Sequence, residues 1–165
     1  MRKADRCRKE IARNAKTVVR MDGSSTFLDP PDTGRSNDKE TKSFAFDYSY
    51  WSSGPKDAPE YASQQKVYDD LGKELLEHAF DGYNTCIFAY GQTGSGKSYS
   101  MMGYNEDRGI IPLICEALFA RIEREKSDRL SFSVEVRDSL LPVLSAKHLA
   151  RYPTQRYIRS VCVIC

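Results

Sequence analysis

One stretch of the chain carries apolar residues at the spacing of a helix face. Its apolar positions lie four residues apart at Val67, Leu71, Leu75 and Ala79, and this stripe is widened by Tyr68, Leu76 and Phe80. This period predicts an amphipathic helix, because residues four apart share one face of an α-helix. Ser63 is suited to cap the start of this helix, and Gly82 lies just past its end.

Residues 111–125 show the same period. Ile114, Leu118 and Ile122 lie on one face of the helix that this pattern predicts. Pro112 falls in the first turn, where the missing N–H of proline breaks no hydrogen bond.

A hairpin is predicted near the start of the chain. Residues 17–21 and 26–28 are rich in β-branched and large apolar side chains, and Asp22-Gly23 between them is a turn signal. Residues 29–42 have the composition of an exposed loop.

Three more strands follow from the pattern of apolar positions. Residues 43–48 alternate large and small side chains, which predicts a strand with one buried face that Tyr50 and Trp51 close. Residues 85–90 are nearly all apolar, as in a central strand covered on both faces. Residues 130–136 alternate and predict the next strand.

The ends of the chain carry weaker patterns. Residues 1–15 are rich in Arg and Lys and are interpreted as a solvated helix or an arm. Residues 103–109 read as a polar loop. No sustained period begins at residue 137 or later, so the sequence predicts no fold for the tail.

Composition places the chain among ordinary globular domains. It has 165 residues, of which 40% are hydrophobic and 29% charged, the size and composition of one domain. The net charge of +2 gives no reason to expect nucleic acid as a partner. No apolar stretch has the length of a signal peptide core or a membrane span, which predicts a cytoplasmic protein.

The five cysteines are an odd number: Cys7, Cys86, Cys115, Cys162 and Cys165. A reducing compartment disfavours disulfides, so we interpret most of them as buried small apolar residues. The terminal Cys-x-x-Cys has no second pair to complete a zinc site, and Cys is an unusual last residue for prenylation. An unspecialised tail is the favoured interpretation.

A glycine-rich segment follows the apolar stretch 85–90. It consists of Gly91, Gln92, Thr93, Gly94, Ser95, Gly96, Lys97 and Ser98. Its spacing matches the P-loop, in which two glycines enclose four residues and Lys-Ser follows. A strand before the loop and a helix over residues 97–102 after it are the context that this motif requires.

These residue types suit the phosphates of a purine nucleoside triphosphate with Mg²⁺. Glycines let backbone N–H groups approach a phosphate closely, and the following helix adds the positive end of its dipole. Lys97 is expected to contact the β- and γ-phosphates, and the hydroxyl of Ser98 to ligate Mg²⁺.

Rapid hydrolysis needs a second carboxylate at the metal and a group that orients water. Asp47 and Asp138 each follow a short apolar run, but both are more typical of strand-end or turn aspartates. His78 and His148 are interpreted as a helix-surface residue and a tail residue. The sequence therefore assigns no catalytic residue.

The residues around the glycine-rich segment resemble the kinesin motor domain. Residues 82–101 are similar to its P-loop segment, and residues 44–50, with the pattern Phe-x-Phe-Asp-x-x-Tyr, resemble the strand ahead of it. Residues 109–112, Gly-Ile-Ile-Pro, resemble the start of the next helix. The sequences of residues 47–52 and 61–64 are most similar to those of the kinesin-three class, the Unc-104-like vesicle and organelle transporters, in a fungal version.

The resemblance covers about residues 10–136 and implies an α/β fold of the P-loop NTPase type, a mixed central sheet flanked by helices. It implies ATP or ADP with Mg²⁺ as ligands, phosphate contacts for residues 91–98 and a place beside the adenine for Tyr99. It also implies a microtubule-based motor that is associated with the cytoskeleton.

Other motifs of the family do not occur in this sequence. Arg6-Cys7-Arg8 is followed by Lys9, where the family has a proline that packs on the adenine. The Ser-Ser-Arg of switch I and the Asp-Leu-Ala-Gly of switch II are missing. These departures put microtubule binding by this chain in doubt, and they predict that it binds nucleotide but hydrolyses it poorly.

We accordingly expect a truncated or mis-spliced motor domain. Residues 1–15 would be a basic arm, residues 16–136 a partial motor domain and residues 137–165 a divergent tail. Two alternatives remain open at this point. One is another P-loop enzyme such as a small-molecule kinase, and the other is a non-catalytic interaction protein that retains part of the motor fold.

Overall fold

A computed structural model describes residues 2–4, 16–30, 40–127, 130–134, 155–157 and 161–164, together with Ala12 and Asn14. The chain divides into two compact units, residues 1–67 with 91–96 and residues 68–90 with 97–165. In these described ranges, no helix has both the length and the apolar content that a membrane crossing requires.

The described part of the first unit contains β1 (Arg2–Ala4), β2 (Val19–Asp22), β3 (Ser25–Leu28), β4 (Lys42–Ala45) and β5 (Tyr50–Ser52). Strands β2, β3 and β4 form an antiparallel sheet in that order, and β1 pairs with β5 in parallel. The sequence pattern predicted a solvated helix or an arm where β1 lies. A strand of three residues is too short for a periodic pattern to reveal it.

The predicted hairpin is confirmed. Strands β2 and β3 are joined by a loop of two residues, Gly23 and Ser24. Gly23 has a φ of +55°, a value that glycine adopts without steric cost. Thr26 of β3 is fully buried, and its hydroxyl lies 3.0 Å from Oγ of Ser49. Because the single hydroxyl proton of Ser49 goes to the carbonyl of Ser24 at 2.8 Å, Thr26 is the donor in this bond.

Strand β4 differs from its prediction. It ends at Ala45 rather than reaching residue 48, and all four of its residues are exposed. Phe44 remains 44% exposed, so the predicted buried face is wrong. Tyr50 and Trp51, expected to close that face, belong to β5 instead. The alternation marked the two faces of an edge strand, but β4 pairs only with β3 among the described strands and neither face is covered.

The first predicted helix is interrupted by a π-helical turn. It consists of α1 (Gln64–Val67), the π-helical turn (Tyr68–Gly72) and α2 (Lys73–Phe80). Ser63 caps its start as predicted, because its Oγ accepts a hydrogen bond of 3.1 Å from the N–H of Lys66.

The π-helical turn changes which apolar residues are buried. The buried face contains Val67, Tyr68, Gly72, Leu76 and Ala79. Leu71 and Leu75, predicted members of the stripe, are only half-buried. A π-helical turn adds one residue and so rotates the helix that follows it, which moves the buried face from Leu75 to Leu76.

Gly82 ends α2 as predicted. Its φ is +92°, and its N–H donates to the carbonyl of Ala79 at 3.2 Å. The N–H of Tyr83 donates to the carbonyl of His78 at 3.0 Å, which completes a Schellman motif. The rings of Tyr83 and His78 also meet edge to face, with centroids 6.1 Å apart. This motif sets the direction in which the chain leaves the helix.

The second unit also contains α3 (Lys97–Met101) and α4 (Ile110–Glu125). Helix α4 confirms the second predicted helix, since Ile114, Leu118 and Ile122 are all buried. Gly72 of the π-helical turn allows the two elements to approach, because a Cβ there would lie 3.3 Å from the side chain of Ile114.

Arg121 joins α4 to α2. Its guanidinium donates to Glu77 at 2.7 Å and to Glu125 at 2.8 Å. The same group lies 3.9 Å from the centroid of the Phe80 ring, a favourable distance for a cation over an aromatic face. The side chain of Arg121 is only 19% exposed, so these contacts are partly screened from water.

The described strands of the second unit are β6 (Thr85–Phe88), β7 (Gly103–Tyr104), β8 (Asp107–Arg108), β9 (Ser131–Ser133), β10 (Gln155–Tyr157) and β11 (Val161–Ile164). Strand β6 pairs in parallel with β11, and β9 pairs in parallel with β10. Strand β9 lies inside the predicted strand 130–136, of which residues 135 and 136 are outside the described residues. Strands β10 and β11 lie in the tail for which the sequence predicted no fold.

The sequence predicted that strand β6 is covered on both faces, and this prediction is wrong. Thr85 and Ile87 are half-buried, whereas Cys86 and Phe88 are exposed. An all-apolar run does not tell whether a second layer is present, and Phe88 is 71% exposed. Cys86 and Cys115 are both exposed, so neither is one of the buried cysteines that the sequence predicted. The side chains of the other three cysteines lie outside the described residues.

Candidate functional site

The glycine-rich segment has the order of elements that the sequence predicts. Strand β6 ends at Phe88, residues 91–96 form neither helix nor strand, and α3 begins at Lys97. The predicted order of strand, loop and helix is therefore confirmed.

The conformation of the loop depends on glycine. Gly94 and Gly96 have φ values of +82° and +88°, in a region that costs a residue with a Cβ about 1–2 kcal/mol. The N–H of Ser95 donates to the carbonyl of Gln92 at 3.1 Å and closes a turn around Gly94. A Cβ on Gly91 would lie 2.5 Å from Oγ of Ser95. The loop thus needs glycine at 94 and 96 for the backbone conformation and at 91 for the close approach to Ser95.

The loop and the helix start have the exposure that a binding segment needs. The residues from Gln92 to Ser95 are exposed, and so is Ser98. Lys97, the first residue of α3, is half-buried. The first N–H groups of any helix have no acceptor within that helix, so they are suited to donate to an anion.

A hairpin that the sequence pattern did not predict follows α3. Strands β7 and β8 pair antiparallel around a loop of two residues, where the sequence predicted only a polar loop. The hydroxyl of Tyr99 in α3 donates to the carboxylate of Asp107 in β8. The available signal was Asn105, which adopts a φ of +51° at the turn, as Asn often does in tight hairpins.

The remaining candidate residues lie outside the glycine-rich segment of the sequence. Asp47 is exposed after β4, and His78 is exposed on α2 as predicted. Asp138 and His148 lie outside the described residues. No group of three or more His, Cys, Asp or Glu residues in the described part of the chain is arranged to hold a metal ion.

The donor set of this segment fits a phosphate and a hard cation. Glycines at positive φ, a lysine at the helix start and an exposed hydroxyl at Ser98 are the groups that a phosphate with Mg²⁺ requires. A strand, this loop and this helix in sequence define the class of P-loop NTPases.

Comparison with known proteins narrows the class to one family. The family model for the kinesin motor domain matches residues 2–142. The chain belongs to the kinesin motor family, and the alternative of a small-molecule kinase is therefore set aside.

Named relatives agree with this assignment. The chain is 53% identical over 131 residues to kinesin-like protein KIF1A of Rattus norvegicus, an alignment that covers 78% of this chain and 7% of that protein. It is 56% identical over 126 residues to kinesin-related protein 1 of Dictyostelium discoideum, which covers 73% of this chain and 6% of that protein. The chain thus spans less than a tenth of the length of these two relatives.

Solved structures show the same fold. The structure of KIF14 with ADP in complex with a microtubule has a TM-score of 0.69 and 46% identity, covering 78% of this chain and 34% of that one. A fast kinesin has a TM-score of 0.63 and 30% identity, covering 77% and 33%. The fold is the P-loop NTPase fold of the kinesin motor domain, of which this chain holds a part.

Proposed function

We propose that this chain binds ATP or ADP with Mg²⁺ through residues 91–98. The observation that carries the proposal is the loop conformation, with Gly94 and Gly96 at positive φ directly before Lys97 at the start of α3. Two solved structures of KIF14, which is similar to this chain, contain ADP or AMP-PNP and support the choice of nucleotide.

Each group in this segment has a distinct role in the proposal. Backbone N–H groups of residues 91–96 bind the β-phosphate, and the ammonium group of Lys97 contacts the β- and γ-phosphates. The hydroxyl of Ser98 holds Mg²⁺, which when bound neutralises charge on the phosphate oxygens. Tyr99 lies beside the adenine.

We further infer that the whole protein is an ATP-driven microtubule motor of the kinesin-three class, associated with the cytoskeleton. Its similarity to KIF1A and to KIF13A of Homo sapiens, at 53% and 51% identity, supports the class. The complexes of KIF14 with microtubules support the track. The fungal origin rests only on the sequences of residues 47–52 and 61–64 and stays a prediction.

For the 165-residue chain itself we expect nucleotide binding without microtubule-stimulated turnover. Motor chemistry uses loops that the γ-phosphate orders and that relax when it leaves, and the switch motifs that would form them do not occur in this sequence. Hydrolysis should be measured with and without polymerised tubulin. Stimulation of roughly tenfold or more would overturn this part of the proposal, since it would require positioned groups that we have not identified.

The binding proposal is tested by Lys97→Ala in isothermal titration calorimetry with ATP and Mg²⁺. Removing the ammonium group should raise the Kd roughly 10- to 100-fold, the loss expected for a hydrogen bond to a charged group. Lys126→Ala is the matched control, because Lys126 is an exposed lysine after the end of α4. Equal ATP affinity for Lys97→Ala and the parent chain would count decisively against the proposal.

A further inference from the structure

The aromatic ring of Tyr99 is fixed at both ends. Its backbone is the third residue of α3, and its hydroxyl donates to Oδ2 of Asp107. Both side chains are partly buried, which limits competition from water for this bond. A hydrogen bond to a carboxylate is stronger than one between neutral groups, so the orientation of the ring is well defined.

Asp107 is itself held in place by the backbone around it. Gly103 pairs with Arg108 across the hairpin, and a Cβ on Gly103 would lie 2.2 Å from the carbonyl oxygen of Asp107. The N–H of Gly109 donates to the carbonyl of Met102 at 3.0 Å, which ties the end of the hairpin to the end of α3. Arg108, next along the strand, pairs with Glu116 of α4 at 2.7 Å.

We propose that Asp107 is a positioning residue for nucleotide binding, because it holds the Tyr99 ring in the orientation in which the ring stacks on the purine base. The proposal rests on the proposed function. Tyr99 lies in the same first turn of α3 as Lys97 and Ser98, the residues proposed to hold the phosphates and Mg²⁺, so the base of the same nucleotide would lie near this turn. Aromatic side chains bind bases through their faces.

The benefit of this arrangement is preorganisation. A ring already fixed by Asp107 loses little side-chain freedom when the base stacks on it, whereas a mobile ring loses that freedom on binding. The effect concerns the base and leaves the phosphates untouched. Asp107 should therefore influence the affinity for ATP but not the affinity for inorganic tripolyphosphate.

The test compares the Kd values of both ligands, measured by calorimetry on the full chain with Mg²⁺. Asp107→Ala should raise the Kd for ATP roughly 3- to 10-fold, the amount expected for one side chain that must be immobilised, and leave the Kd for tripolyphosphate unchanged. Tyr99→Phe should match Asp107→Ala, and the double variant should show no further loss. Asp107→Asn, which keeps an acceptor, should recover most of the affinity.

Glu106→Ala is the control, since Glu106 is an exposed acid one residue earlier in the same hairpin, and its affinities should equal those of the parent chain. Unchanged ATP affinity in Asp107→Ala would overturn the proposal, and so would an equal loss for both ligands, which would indicate distortion of α3. A parent chain that binds both ligands equally would also overturn it while leaving phosphate binding intact. A parent chain that binds neither ligand would refute the proposed function itself.

Discussion

Helices α3 and α4 belong to the same unit but are held in place differently. Helix α4 has sixteen residues and buries four isoleucine and leucine side chains along one face. Helix α3 has five residues and buries only Met101. It is fixed instead by the hairpin after it, through the bond from Tyr99 to Asp107 and the bond from Gly109 to Met102.

This difference implies that stability and nucleotide binding depend on different contacts. Burial of apolar side chains contributes most of the free energy of folding, so the face of α4 should determine whether the second unit is stable. Hydrogen bonds and close backbone contacts contribute less but define positions closely. The hairpin should therefore determine where Tyr99 lies with little effect on stability.

The largest effect on stability is expected from Ile114→Ala. Ile114 is only 4% exposed on the buried face of α4, and replacing such a residue by alanine costs about 2–5 kcal/mol through lost burial and the cavity left behind. Urea unfolding would measure this loss. ATP affinity, measured where the variant is still folded, should equal that of the parent chain.

Phe119→Ala is the control for this change, because Phe119 lies on the same helix and is 52% exposed. A surface substitution of this kind should change the free energy of unfolding by no more than about 0.5 kcal/mol. Similar losses for Ile114→Ala and Phe119→Ala, or a loss of ATP affinity in Ile114→Ala, would contradict the separation of stability from binding.

Gly103→Ala is expected to reduce stability less than Ile114→Ala does, and unlike Ile114→Ala it should also weaken ATP binding. Gly103 has a φ of +86°, and its Cβ would meet the backbone of Asp107 and Gly109 at 2.2 and 2.4 Å. Backbone strain of this kind costs about 1–3 kcal/mol. The clash should displace Asp107 and weaken ATP binding, measured by calorimetry.

Gly82→Ala distinguishes the cost of a positive φ from the effect of the backbone clash. Gly82 has a similar φ of +92°, but no atom lies within 4 Å of the added Cβ. This variant should show only the cost of the backbone conformation, with no change in ATP affinity. If Gly103→Ala binds ATP as well as Gly82→Ala does, the hairpin has no part in placing Tyr99.

Helix α4 and the helix that the π-helical turn interrupts differ in how far their sequences predict them. The four-residue period of α4 gave its bounds to within one residue and its buried face correctly, because burial of one face leaves a periodic trace. The π-helical turn at Tyr68–Gly72 left no such trace, so the buried residue Leu76 was assigned to the edge of the stripe and Leu75 to its centre. A single inserted residue is enough to shift the face.

The candidate site likewise has features that the sequence predicted and features that it did not. The order of strand, loop and helix was predicted because residues 91–98 carry glycines at positions where the backbone requires them. The bond from Tyr99 to Asp107 was not predicted, since eight residues and a hairpin turn separate the two groups. The exposure of Phe44 and Phe88 was also missed, because alternating or continuous apolar residues indicate a strand without showing what covers it.

The smallest effect is expected from an exposed ion pair in the first unit, where neither burial nor a close backbone contact contributes. Arg20 donates through Nε to Oδ2 of Asp29 at 2.6 Å, and Thr41 donates to the other carboxylate oxygen at 3.0 Å. These hydrogen bonds, that of Arg20 foremost, lower the pKa of Asp29 below its ordinary value of 3.8. Exposed pairs of this kind contribute little to stability.

The pH dependence of this contribution has a definite sign. Because the pKa of Asp29 is lower in the folded state, the unfolded state takes up the proton first as pH falls. The contribution is therefore complete above the ordinary value and is lost as pH falls through the lowered one. The Tm of the parent chain should exceed that of Asp29→Asn slightly at about pH 6, and the difference should shrink below about pH 4. A difference that grows on acidification would contradict this sign, and a difference as large as the effect of Ile114→Ala would show that exposed contacts rank with the buried face of α4.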